Sequence, residues 1–322
     1  MKLASICLLA AATLGAFALP APNRAATVEQ TVAVDASVPQ PPTAAAQPDE
    51  LQLPAIPANL RQPAERAAYL IRHFWDNLDF GDPVRARNEL FMEQNFANFI
   101  SVFPHAAEPA RRDAVEILLR RAAADSTAYA LVAEIAERYL YNDDSPLRSE
   151  EYYILFLEQL AESPVLGEYG TLRPRYQLEA ARKNRPGMVA ADFDYTTPDG
   201  RRASLHTTPA GERLLVVFYD PDCAHCKEVM ARLQAEPLLT EAVAAGRMQV
   251  LALYSGDRSL LWRNSAAQLP ADWTVGYNTG DIYDRELYVL RNMPTLYLLD
   301  GNRRVLLKEP TPEALIEWLR EQ

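Results

Sequence analysis

The chain has 322 residues, more than one ordinary domain needs and ample for two. Apolar residues make up 49% of it, enough for a sizeable core. A net charge of −11 and a pI of about 5.0 argue against nucleic acid or an anionic membrane surface as partner.

The first residues carry Lys2 and then an apolar run from Leu3 to Leu19, rich in Ala and Leu. Ala16-Phe17-Ala18 offers a small-residue cleavage site, so residues 1–18 read as a secretory signal peptide. A retained anchor is the rival reading, because the run approaches spanning length; the Pro20-Ala21-Pro22 stop favours cleavage. Cys7 is badly placed for lipidation, since most of the apolar run follows it. The expected destination is the periplasm or cell envelope, with no membrane span once the leader is removed. Residues 19–62 form a Pro/Ala-rich stretch with few charges, exemplified by Val38-Pro39-Gln40-Pro41-Pro42, and read as an extended linker.

Residues 63–186 change character. Ala68, Ile71, Phe74, Trp75 and Leu78 fall at helical spacing, as do Leu90, Phe91, Phe96, Phe99 and Ile100. The same period continues over 108–124 and 127–141, with Asp125-Ser126 and Asp144-Ser145-Pro146 as cap and turn signals. Two more helices are expected over 150–160 and 173–184. Glycine is almost absent from 63–166, so this is an all-α domain of about six helices. His73 reads as an ordinary helix residue, the aromatics as core, and Asn142-Asp143-Asp144 as a cap, since it lacks the glycine and later glutamate of a calcium loop.

A second domain starts at Gly187. Asp192–Thr197 and Arg202–Leu205 flank Pro198-Asp199-Gly200, a hairpin by its turn chemistry. Leu214-Leu215-Val216-Val217-Phe218-Tyr219 has no alternation and reads as a strand buried on both faces. Asp220-Pro221-Asp222 is a turn, and a helix follows in which Val229, Met230 and Leu233 recur at helical spacing. Met248–Leu253 is a second buried strand, parallel to the first across a helical crossover, and 259–268 a short helix. Trp273–Val275 is a brief extended piece, and 284–290 another helix. Thr295–Leu299 and Arg304–Leu307 form a closing hairpin, and Thr311 caps a last helix with Pro312 at its first position.

Cys223 and Cys226 open the helix that leaves the buried strand. Unpaired N–H groups and the positive dipole end favour a thiolate there. A disulfide across two intervening residues closes a small ring, a weak staple but one suited to opening and closing. His225, when protonated, adds positive charge, whereas Asp220 and Asp222 oppose it. A zinc site would need two more ligands, and only His206, His105 and His73 remain, none in finger spacing. A static bridge and an inert buried pair also compete with redox chemistry at this position. No metal and no cofactor are expected, and with only three cysteines there is no disulfide framework.

Strand–Cys-x-x-Cys–helix resembles the thioredoxin superfamily. The residues around it, Asp192-Phe193-Asp194-Tyr195 before and Met293-Pro294-Thr295 and Asp300-Gly301 after, resemble its periplasmic TlpA/ResA-like branch. The resemblance covers 187–322 and implies α + α/β architecture: an all-α domain, then a thioredoxin-like domain with a central mixed sheet flanked by helices. Phe74-Trp75-Asp76, Tyr139-Leu140-Tyr141, Ser149-Glu150-Glu151 and Arg173-Pro174-Arg175 resemble a helical domain of unknown function found before such domains. By the same resemblance Pro294 is a cis-proline facing the cysteines, with the Met293 backbone exposed for strand-like pairing with substrate. Cys223 is then the nucleophile and Cys226 the resolving thiol, with Tyr219 and Asp222 as further substrate contacts.

The resemblance implies a thiol–disulfide oxidoreductase acting on protein disulfides, as a reductant, with a membrane or periplasmic electron donor. His225 also resembles the histidine of oxidising relatives such as DsbA, so an oxidase or isomerase competes with the reductant. A further rival is a client-binding module in which the helical domain captures an envelope partner. A peroxide-reducing protein fits less well, for no Pro-x-x-x-Thr/Ser precedes Cys223. Two departures stand out: Val217 occupies the place of a buried acid, and Asp222 that of an aromatic residue.

Overall fold

The computed structural model describes residues 51–278 and 280–322. The leader expected over 1–18, with Cys7, and the linker up to residue 50 lie outside the described residues.

The N-terminal part is helical: α1 (Pro63–His73), α2 (Pro83–Ala86), α3 (Glu89–Ser101), α4 (Glu108–Ala122), α5 (Ser126–Leu140), α6 (Glu150–Leu160) and α7 (Gly167–Arg182). Short polar side chains cap α2, α3, α5 and α6. Asn88 Oδ1 accepts the Phe91 N–H at 3.1 Å, Asp125 Oδ1 that of Ala128 at 2.9 Å, and Ser149 Oγ that of Tyr152 at 3.3 Å. Phe74, Trp75, Phe96, Phe99, Phe103 and Phe156 are buried together, so the aromatic stripe is the core of this part.

Two features differ from the sequence reading. α7 begins at Gly167, six residues before the expected start, and runs through Pro174. Gly170 and Pro174 are local breakers, yet burial of Thr171, Gln177, Leu178 and Ala181 keeps the helix intact. The end of the proline-rich stretch is docked onto the helices. Leu51 is 4% exposed, its N–H donates to Asn95 Oδ1 at 3.1 Å, and Asn77 Nδ2 donates to the Gln52 carbonyl at 2.7 Å.

The C-terminal part holds β1 (Asp194–Thr196), β2 (Arg202–Ser204), β3 (Arg213–Phe218), α8 (Ala224–Ala235), α9 (Pro237–Ala244), β4 (Met248–Tyr254), α10 (Ser259–Ala266) and β5 (Thr274–Tyr277). Then come α11 (Asp281–Asp284), β6 (Thr295–Asp300), β7 (Val305–Lys308) and α12 (Pro312–Arg320). The seven strands form one mixed sheet in the order β2-β1-β5-β4-β3-β6-β7. β3 is an interior strand, parallel to β4 and antiparallel to β6.

Alternate β3 residues face opposite sides. Leu215 and Val217 pack with Leu233, Leu239, Trp262 and Leu315 on one side, whereas Leu214, Val216 and Phe218 pack with Phe193, Tyr288 and Tyr297 on the other. Both faces being covered explains why the run shows no alternation. Each such side chain stabilises the fold by roughly 1.5–3 kcal/mol.

The helix expected over 284–290 ends instead at Asp284, because Asn278 Oδ1 caps an earlier turn at the Ile282 N–H, 3.3 Å away. Glu286 then takes a left-handed φ of 47°, and the chain runs irregularly into the Met293-Pro294 loop.

The described residues form one compact unit, and charged groups join its two parts. Lys308 Nζ meets Glu150 Oε2 at 2.5 Å. Glu309 accepts from Arg148 Nη2 at 2.7 Å and from Arg291 Nη2 at 2.9 Å. The Arg291 guanidinium lies 4.0 Å from the Tyr141 ring centroid.

Candidate active site

β3 delivers the chain to the edge where the parallel strands end. Asp220, Pro221, Asp222 and Cys223 then make a turn closed by the Cys223 N–H donating to the Asp220 carbonyl at 3.1 Å. Cys223 is the N-cap residue of α8, with extended φ and ψ of −72° and 121°. The helix therefore starts one residue after the expected position, and Cys223 Sγ does a capping side chain's work. It accepts the Cys226 N–H at 3.1 Å, one of the orphan donors of the first turn. Cys226 itself is 1% exposed, and both thiols are free.

The second half of the site is the loop before β6. The Met293-Pro294 peptide bond is cis. The Cys223 thiol donates to the Met293 carbonyl at 3.7 Å, so the two elements face each other across the thiol. Burial pushes the Cys226 thiol up to about 12, and the neighbouring Cys223 thiol acts in the same direction. The Asp220 N–H, which donates to Cys226 Sγ at 3.5 Å, opposes this.

Cys223, Cys226, Met293 and Pro294 are thus brought together, with Asp222 on the turn itself. His225 is well exposed, with Nδ1 3.8 Å from Glu228 Oε2. Tyr219 lies inward of the open face: it is 4% exposed, and its hydroxyl is 3.5 Å from Ser265 Oγ. Val217 is fully buried, and so supplies no acid beneath the cysteines. A cavity of about 240 Å³ lies beside Cys226, lined by Tyr219, Asp220, Lys227, Met230, Ser265 and Gln268 among others. Among the described residues, no three His, Cys, Asp or Glu side chains cluster as a metal site would require.

Sequence reasoning missed three groups at this edge. Arg258, from the loop after β4, meets Asp220 Oδ2 at 3.3 Å and also binds Asp222. Arg148 and Asp143, from the turn before α6, line a cleft of about 150 Å³ with His225, Pro294, Glu309 and Thr311. A loop leaving a parallel strand next to β3 was a place to look for Arg258, because such loops converge at one end of the sheet. Arg148 pairs with Asp143 in its own turn at 3.1 Å, but its other partner, Glu309, is 161 residues away, beyond the reach of any local pattern.

A thioredoxin-like domain model matches residues 203–322, and a domain of unknown function (DUF5106) matches residues 22–184. No curated protein matches the chain. Among solved structures, a thioredoxin-like protein from Bacteroides caccae is similar at 33% identity and a TM-score of 0.78, covering 85% of this chain and 99% of its own. A conserved protein of unknown function from Bacteroides fragilis is 39% identical over 42% of this chain and 98% of its own, with a TM-score of 0.41. The thioredoxin domain of a thiol-disulfide oxidoreductase from Bacteroides vulgatus is 19% identical over 42% of this chain and 96% of its own, with a TM-score of 0.38.

Proposed function

The chain belongs to the thioredoxin-like proteins, here with a DUF5106 domain on the N-terminal side; from that premise we propose that it reduces disulfides in polypeptide substrates of the cell envelope. The observation that carries this reading is the pairing of a capping, half-buried Cys223 thiol with the Met293 carbonyl and a buried Cys226 one turn on.

The Cys223 thiolate attacks one sulfur of a substrate disulfide. A mixed disulfide forms, and the other substrate sulfur leaves as a thiolate that takes up a proton. Cys226 then loses its proton and attacks Cys223 Sγ. The Cys223–Cys226 disulfide forms, the second substrate thiol is released, and two electrons have passed to the substrate. A reductant from outside the chain must restore the dithiol.

The second step is the harder one, since burial disfavours the Cys226 thiolate. With Val217 in place of an acid, the proton leaves through water in the cavity beside Cys226, which has room for several molecules. The Asp220 N–H steadies the thiolate so formed. The substrate chain lies along the Met293 backbone and into the cleft beside His225 and Pro294, where Asp143 and Arg148, from the turn before α6, make the wall contributed by the N-terminal part. That wall gives the helical domain a part in recognising the polypeptide.

The test is reduction of insulin by dithiothreitol, with the wild-type chain, Cys223→Ser and Cys226→Ser as catalysts. The wild-type chain should accelerate it, Cys223→Ser should not, and Cys226→Ser should accumulate a mixed disulfide. Equal activity in all three proteins would remove the redox reading.

A further inference from the structure

The turn that presents Cys223 carries two carboxylates within three residues of the thiol, an arrangement that by itself opposes a thiolate. The structure places one cation against both. Arg258 Nη2 lies 3.3 Å from Asp220 Oδ2, and Nη1 donates to Asp222 Oδ2. Asp220 Oδ1 also accepts the Asp222 N–H at 2.8 Å, so the guanidinium spans a turn already folded on itself.

The loop that brings Arg258 there is held to this course. β4 ends at Tyr254, which is 2% exposed. The chain then doubles back, and the Arg258 N–H donates to the Tyr254 hydroxyl at 3.3 Å. A Cβ at Gly256 would lie 2.2 Å from that hydroxyl oxygen, so only glycine lets the chain pass so close. Since β3 and β4 are adjacent and parallel, this loop and the cysteine turn meet at one end of the sheet.

We propose that Arg258 is the positioning residue of the thiol nucleophile, neutralising Asp220 and Asp222 and fixing them as ion-pair partners so that Cys223 ionises readily. The proposal rests on the reading above that Cys223 is the attacking thiol. Several other groups surround the turn. His225, Lys227 and Glu228 stand on the first turns of α8, with His225 and Glu228 3.8 Å apart. Cys226 lies beneath, and the Tyr219 and Tyr283 hydroxyls feel the Asp220 charge. Among the described residues, Arg258 is the cation paired with Asp220 and Asp222. All three side chains are partly exposed, at 48% for Arg258, 34% for Asp220 and 57% for Asp222, so the effect should be modest and sensitive to salt.

The experiment is the rate of Cys223 alkylation by iodoacetamide at pH 7, in Cys226→Ala chains carrying Arg258, Arg258→Lys or Arg258→Gln. The Gln protein should react about two- to fivefold more slowly at low ionic strength, and most of that difference should vanish in 1 M salt. The Lys protein should stay near the Arg258 rate, because it keeps the charge. An unchanged rate in the Gln protein overturns the proposal. So does a loss in the Lys protein as large as in the Gln protein, or a loss indifferent to salt, either of which marks a purely structural role. Alkylation needs no disulfide exchange. A chain that fails to reduce insulin yet shows this pattern would sink the redox reading and leave the role of Arg258 standing.

Discussion

Replacing Lys308 by methionine should loosen the junction on which the cleft depends. The Lys308 side chain is 5% exposed and that of Glu150 17%, with Nζ and Oε2 2.5 Å apart. Nζ also donates to the Ala181 carbonyl at 3.1 Å. Burial raises the pKa of Glu150, Lys308 counters this, and Glu309 adds to the rise. Methionine fills the same space but leaves the carboxylate buried without its counter-ion, which costs about 3–5 kcal/mol, a large part of a typical domain's stability.

The loss should depend on pH. A carboxyl whose pKa in the folded state is raised above its unfolded value contributes most below the unfolded pKa, and that contribution is lost as pH rises through the folded pKa. Without Lys308 the folded pKa of Glu150 rises further, so the gap to wild type should be widest at pH 7.5 and narrow toward pH 5. Urea unfolding followed by tryptophan fluorescence at both pH values measures it. The Glu150→Leu/Lys308→Met protein, which removes both charges, should recover most of the stability at pH 7.5. A single variant as stable as wild type at pH 7.5, or a gap that does not shrink at pH 5, would refute the reasoning.

Other expectations follow from the same contacts. Arg148→Gln removes a charged partner of Glu309 and Asp143 at the cleft. It should lower kcat/KM for insulin about two- to tenfold and change reduction of glutathione disulfide less; an equal change on both substrates contradicts a role in polypeptide recognition. Leu51→Ala should destabilise the chain by roughly 2 kcal/mol in thermal or urea unfolding, since Leu51 is 4% exposed against the helices. A change near zero would mean that the docked segment contributes nothing.

The thioredoxin-like half could be read closely from sequence because its signals are local. An apolar run without alternation, turn residues and then helical spacing gave β3, the cysteine turn and α8 in order. Met293-Pro294, read by resemblance as a cis pair, is cis in the structure. The misreadings arose where tertiary packing overrode local preference. Buried Thr171, Gln177, Leu178 and Ala181 hold α7 together across Gly170 and Pro174, and Leu51 finds a buried seat despite its proline-rich surroundings. Glu286, with its left-handed backbone, lies in the middle of the segment read as a helix over 284–290. The charged groups around the site were the least legible. Arg258 and Arg148 sit in turns without periodicity, and each has a partner far off in sequence, Asp222 at 36 residues and Glu309 at 161.

Redox titration of Cys223 and Cys226 in glutathione buffers, with trapping of free thiols, tests the central claim most directly. A reductant predicts one two-electron transition per chain, at a potential near thioredoxin's roughly −270 mV and well below DsbA's roughly −120 mV. A pair that stays reduced, or stays oxidised, across the whole range would contradict disulfide exchange as the chemistry of this site.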